Sequence, residues 1–205
     1  MTPINIVLAS NNQHKLIELT AALPDSFALH PASEFNVDSP DETGTTFIEN
    51  AIIKARHSSA ISGLPAIADD SGLEVDFLDH APGIFSSRFA GPNASDEENN
   101  AKLLDELKNA PADQRTARFR CVLVYLRHKL DPMPIIATGT WHGSIVQTPT
   151  GEKGFGYDPV FFIPTHGVTA ASLDANTKNS ISHRGQAVAE LIPQLSSAQA
   201  IGRVQ

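Results

Sequence analysis

The sequence predicts a mixed α/β fold built on an elongated central sheet flanked by helices. Three observations predict it. An apolar run, INIVLAS, feeds directly into an amphipathic stretch, QHKLIELTAAL. Extended and helical segments then alternate. Two long strand-like runs, RFRCVLVYLRH and PIIATGTWHGSIVQ, lie together further on.

Taken in order, INIVLAS reads as a buried strand and QHKLIELTAAL as a helix ended by Pro24. Ser10 and Gln13 have capping-box spacing ahead of that helix, and so do Thr46 and Glu49 ahead of FIENAIIKARHSSA. In the second helix Ile48, Ala51, Ile52 and Ala55 make an apolar stripe, while Asn50 and Lys54, four apart, share a polar face. PAIADDSGLEVDFL reads as a strand, a turn and a second extended segment. Ser95 and Glu98 open a helix through NNAKLLDELKN that stops before Pro111. The two long strands meet at a turn around Asp131 and Pro132. A glycine-rich loop, GEKGFGYD, leads into VFFI, and QAVAELIPQL forms a closing helix with residues 196–205 as a fraying tail.

The chain of 205 residues can bury one substantial core, or two lobes sharing a cleft. A net charge of −8 argues against a nucleic-acid polymer as partner, because displacing counterions needs a basic footprint. A small anion in a locally basic pocket stays compatible with that charge. The single cysteine, Cys121, excludes an internal disulfide and reads as a buried structural thiol. The N-terminal stretch lacks a basic leader, and no apolar run approaches the length of a membrane span. The expectation is a cytoplasmic protein with no membrane partner.

Four places carry chemistry-bearing residues. SNNQHK, comprising Ser10, Asn11, Asn12, Gln13, His14 and Lys15, lies between a strand and a helix. Unpaired N–H groups at a helix start favour phosphate. Lys15 in the first turn is disfavoured by the helix dipole unless an anion arrives, although the pattern also suits plain capping. In the second place, Glu42 precedes the helix bearing Asn50 and Lys54, a pattern that by itself more often marks a helix-stabilising acid and a solvated lysine. The third is ADDSG: Asp69 and Asp70 abut an apolar run and precede Ser71. Adjacent carboxylates suit Mg²⁺, which takes one or two of them plus substrate phosphates, and a turn with an Asp cap is the alternative. The fourth joins GFGYD (Phe155, Gly156, Tyr157, Asp158) with KNSISHRGQ, which holds Lys178, His183 and Arg184. A ring flanked by glycines suits stacking on a base, with His183 and Arg184 as donors. A hairpin with a core Phe is the plainer reading.

SNNQHKLIEL, ETGTTFIENAIIKA, ADDSGL, PGIFSSRFAG, GFGYDPVF and ISHRGQA, in this order, resemble the inosine triphosphate pyrophosphatase family, the bacterial dITP/XTP branch above all, from Ile4 to about Leu195. The resemblance implies Mg²⁺-dependent hydrolysis of deaminated purine nucleoside triphosphates (ITP, dITP, XTP) to the monophosphate and pyrophosphate. It implies one catalytic domain over residues 1–205, two lobes with an active-site cleft between them, and a homodimer. Its nucleotide-binding turn falls on Ser10 to Lys15, with Asn11 where the family more often has Gly. Its metal carboxylates fall on Glu42 and Asp70, with Asp41 adjoining, and its phosphate-contacting lysine on Lys54. Asp70 takes the role of base, with Asp69 the other candidate. Ser71 matches a substrate contact, and Phe155, Gly156, Tyr157, Asp158, Lys178, His183 and Arg184 match the nucleoside-binding set. A silent purine-nucleotide sensor is the alternative from another class, and a Mg²⁺ phosphohydrolase of monophosphates is a second.

Overall fold

The computed structural model describes residues 2–202, with side chains through Ser196. The strands are β1 (Ile4–Leu8), β2 (Phe27–Pro31), β3 (Ala66–Val75), β4 (Thr116–Leu126), β5 (Ile135–Ile145), β6 (Phe161–Ile163) and β7 (Val168–Thr169). They form one seven-stranded sheet in the order β2-β1-β3-β4-β5-β6-β7. The helices are α1 (Gln13–Ala22), α2 (Phe47–Ser62), α3 (Asp96–Glu106), α4 (Ala175–Ile181) and α5 (His183–Gly202). β1 runs parallel to β2 and β3, whereas β5–β6 and β6–β7 are antiparallel. The sheet is therefore mixed, as the sequence predicts. The chain divides into two compact units.

The first unit comprises the chain through Asp70, then Cys121–Gly139, then the chain from Gln186 on. Strand residues alternate between two faces, and two cores result. Ile6, Leu8, Ile67, Cys121 and Leu123 pack with Leu19 of α1 and with Val188 and Leu191 of α5. Val7, Ala66, Ala68, Val122 and Val124 pack with Ala51 and Ala55 of α2. The parity of β3 thus sends Asp69 to the α1/α5 side and Asp70 to the α2 side.

The second unit comprises Ser71–Arg120 and Thr140–Gly185. Its core gathers Leu73, Leu103, Phe119, Trp141, Tyr157 and Phe161. Phe119 and Phe161 lie 4.6 Å apart between ring centroids, and His183 stacks on Phe119 at 4.7 Å and 10°.

Several expectations need correction. DDSG is no turn: β3 is unbroken from Ala66 to Val75, so Asp69 and Asp70 sit in mid-strand. Ser10 does not cap α1. Asn12 does, its side chain accepting from His14 N and Lys15 N, while Ser10 Oγ accepts from Asn12 N. An Asx side chain one residue before the helix reaches those donors without a bend. The capping boxes of Thr46–Glu49 and Ser95–Glu98 form as expected. In α2, Ala51 and Ala55 are buried but Ile48 is 41% exposed, and the supposedly polar Asn50 is fully buried. The helix is rotated so that Asn50 and Lys54 face inward, where Lys54 meets Asp70 and Glu42 and Asn50 Oδ1 accepts from Gly44 N. The closing helix extends through Gly202, and residues 203–205 of the expected tail lie outside the described residues.

Candidate active site

In the first unit, two lysines converge on the paired acids. Lys15 Nζ lies 2.5 Å from Asp69 Oδ1, and Lys54 Nζ lies 2.5 Å from Asp70 Oδ1 and 3.2 Å from Glu42 Oε1. Both ammoniums also donate to the Asp69 carbonyl, at 3.4 Å and 3.0 Å. This explains how adjacent carboxylates coexist: they leave opposite faces of the strand, and each meets its own cation.

The two acids differ in setting. The Asp69 side chain is fully buried, with Oδ1 on Lys15 and Oδ2 accepting from the Cys121 thiol at 3.6 Å. Asp70 keeps 11% side-chain exposure, and its Oδ2 is buried without a hydrogen-bond partner among the described residues. Burial pushes the Asp70 carboxyl above its ordinary range, against the pull of Lys54 and with added repulsion from Glu42. Burial also opposes charge on Lys54, but Asp70, Glu42 and Asp69 outweigh it, so the ammonium sits above its usual value. The two directions agree with a lysine set among carboxylates and an acid set in a dry pocket beside another acid.

Glu42 is held in reach by a tight loop. Gly44 N donates to Asn50 Oδ1 at 2.9 Å, and a Cβ on Gly44 would stand 2.5 Å from the Cβ of Glu49. Only glycine lets the backbone approach α2 so closely. Asp41 is exposed, whereas Glu42 is half-buried on Lys54. At the other end of β1, Asn11, Asn12, Gln13 and His14 are exposed and Lys15 is half-buried.

The second unit holds the remaining candidates. Lys178 and Asp158 form a buried pair at 2.5 Å, and Asp158 Oδ2 accepts from Phe155 N at 2.9 Å. The ring of Phe155 lies under two cations, with Lys178 Nζ at 4.9 Å and the Arg184 guanidinium at 5.8 Å from its centroid. Arg184 Nη2 also reaches Ser71 Oγ at 3.5 Å. His183 is buried and stacks on Phe119 and Trp141. Tyr157 is a core residue whose hydroxyl donates to the Ser86 carbonyl at 2.8 Å, and burial pushes its ionisation well above the ordinary tyrosine range. Gly156 adopts φ +62°, a left-handed geometry that favours glycine.

The structure thus joins Lys15, Glu42, Lys54, Asp69 and Asp70 in one unit, and Ser71, Phe155, Asp158, Lys178 and Arg184 in the other. Sequence reasoning missed Cys121 as the partner of Asp69, and Asn50 as the anchor of the Glu42 loop. The one local signal for Asn50 was its place four residues before Lys54 on the same helix face.

Comparison with known proteins places the chain. The Ham1 family model matches residues 6–194. A dITP/XTP pyrophosphatase from Photobacterium profundum is 55% identical over 194 residues, covering 94% of this chain and 98% of that protein. A HAM1 protein from Coxiella burnetii has a similar structure, with TM-score 0.89 and 50% identity over 95% of this chain and 99% of that one. The Ham1 protein of Staphylococcus aureus follows at TM-score 0.84 and 42% identity, with the same coverage of both chains. The fold is thus that of an α/β protein with close structural counterparts at near-full coverage. The chain belongs to the Ham1 family.

Proposed function

We propose that this chain is a nucleoside triphosphate pyrophosphatase that hydrolyses deaminated purine nucleotides (ITP, dITP and XTP) to the monophosphate and pyrophosphate, cleansing the nucleotide pool. Its relatives' name, dITP/XTP pyrophosphatase, supports the reading. The observation that carries it is the convergence of Lys15 and Lys54 on Asp69, Asp70 and Glu42. In this reading the chain is a single catalytic domain that works as a homodimer in the cytoplasm. No helix among the described residues is long and apolar enough to cross a membrane.

The residues fit Mg²⁺. Asp70 carries a buried oxygen without a hydrogen-bond partner among the described residues, and Glu42 stands on the same lysine. No three His, Cys, Asp or Glu side chains gather as a metal cage among the described residues. That suits an ion completed by substrate oxygens and water. Glu42 and Asp70 would hold it, and when bound it supplies charge neutralisation at the phosphates. Lys15 and Lys54 bind and orient the phosphate chain, offsetting charge that shifts as the phosphoanhydride breaks. Asp70 accepts the proton of the water that attacks the α-phosphorus. A carboxyl raised by burial is better matched to that role than one held low. Asp69, with Lys15 and Cys121 on its two oxygens, positions Lys15 rather than taking a proton.

Selectivity falls to Arg184 and His183. Inosine and xanthosine carry a carbonyl at the purine 6 position, where adenine has an amino group. Donors there pair with the carbonyl and oppose the amino group, a mismatch that can discriminate by roughly 10⁴-fold. Lys178 and Arg184 over Phe155 keep that ring in place for the base.

The test is product identity. Incubation with Mg²⁺ and ITP is expected to release pyrophosphate and IMP. Orthophosphate released from IMP would favour a monophosphate phosphohydrolase, and no product at all would favour a silent sensor.

A further inference from the structure

Gly156 is gripped from outside its own loop. Asp96 Oδ2 accepts from Gly156 N at 2.6 Å, and Asn100 Nδ2 donates to Gly156 O at 2.8 Å. Asp96 and Asn100 are four apart on α3 and so share a face. Asp96 is not needed to cap its own helix, because Ser95 and Glu98 already form the capping box. Its carboxylate is left for the loop.

We propose that Asp96 and Asn100 form a two-pronged clamp on Gly156 that positions the purine-recognition loop and thereby sets substrate selectivity; this rests on the function proposed above. A residue held at both its N–H and its C=O loses the freedom to rotate. That matters most at a glycine with φ +62°, whose unfolded freedom is the greatest of any residue. The neighbours are tied elsewhere: Phe155 N to Asp158, Asp158 to Lys178, and the Tyr157 hydroxyl to Ser86. Gly156 is the link in this stretch that α3 secures.

Asn100 itself argues for a role. The residue is 8% exposed, and its Oδ1 is buried without a hydrogen-bond partner among the described residues. The Gly156 carbonyl can only accept, so the amide must turn its nitrogen there and strand its oxygen. An unpaired buried acceptor is costly, and a leucine of similar size would avoid it. The fold tolerates that cost for the one donor Asn100 supplies, and such local conflicts tend to mark functional positions.

The test compares Asp96→Ala, Asn100→Leu and, as a control on the same helix, Asp105→Ala, whose side chain is 72% exposed. Amide hydrogen exchange at Gly156 should quicken in both clamp variants and not in the control. With ITP, KM should rise while kcat holds. The ratio of kcat/KM for ITP over ATP should fall by roughly 10-fold to 10²-fold, the scale of a misplaced positioning contact. Asn100→Leu removes the stranded acceptor and keeps the fold, so it decides the matter if Asp96→Ala fails to fold. Variants that match the wild type in the ITP-to-ATP ratio would overturn the clamp alone. A wild-type protein that releases no pyrophosphate from ITP would overturn the functional reading and the clamp's role with it.

Discussion

The pair Lys15–Asp69 offers the sharpest energetic test. The Asp69 side chain is fully buried and that of Lys15 is 16% exposed, with 2.5 Å between the charges. Neutralising one partner leaves the other charged and largely dry, a loss of about 3–5 kcal/mol. Lys15 retains the Asp69 carbonyl at 3.4 Å and some water, which places Asp69→Leu near the lower end, about 3 kcal/mol. In a chain of this size that lowers Tm by roughly 6–12 °C. Removing both charges with Lys15→Met and Asp69→Leu leaves no orphan, so the double variant should recover much of the loss. Urea unfolding of the four proteins gives the coupling energy, expected to exceed about 1.5 kcal/mol. A coupling below about 0.5 kcal/mol would refute the argument. The double variant should nonetheless be inactive, because in the proposed function Lys15 binds the phosphates.

Asp70→Asn is expected to abolish turnover of ITP while IMP binding, followed by calorimetry, persists; near-wild-type rates would reject the assignment of the base. Arg115 is buried and donates to the carbonyls of Leu107, Ala110, Ile145 and Val146. Arg115→Ala removes those donors, although Leu107 O keeps Ala110 N, and should cost about 3 kcal/mol in urea unfolding, and Arg115→Lys, lacking the fork, should recover only part of it. Asp131 is held well below its usual range, chiefly by the Arg127 side chain. A depressed native pKa contributes stability that is present above the unfolded value of about 3.9 and is lost as pH falls from there toward the lower native value. Asp131→Asn should flatten that part of the acid-unfolding profile; an unchanged slope would contradict the assignment.

What was legible in the sequence was local. Thr46–Glu49 and Ser95–Glu98 announce their helix starts because a capping box closes within four residues. The same rule misjudged Ser10, where a competing Asx side chain lay two residues on and satisfied the donors first. Non-local partners defeated other readings. Asp69 and Asp70 looked like a turn because strands seldom carry paired acids, and the lysines that make them tolerable come from positions 15 and 54. Lys54 looked solvated because a lysine on a polar helix face usually is, yet Asp70, from the neighbouring strand, and Glu42 meet it on an inward face. The clamp on Gly156 joins residues 60 positions apart and leaves no local trace in either segment.

The central claim is that this cluster directs water to the α-phosphorus. Hydrolysis of ITP in heavy-oxygen water, with the products separated and weighed by mass spectrometry, tests it most directly. The account predicts one labelled oxygen in IMP and none in pyrophosphate. Label in the pyrophosphate, with IMP unlabelled, would contradict it.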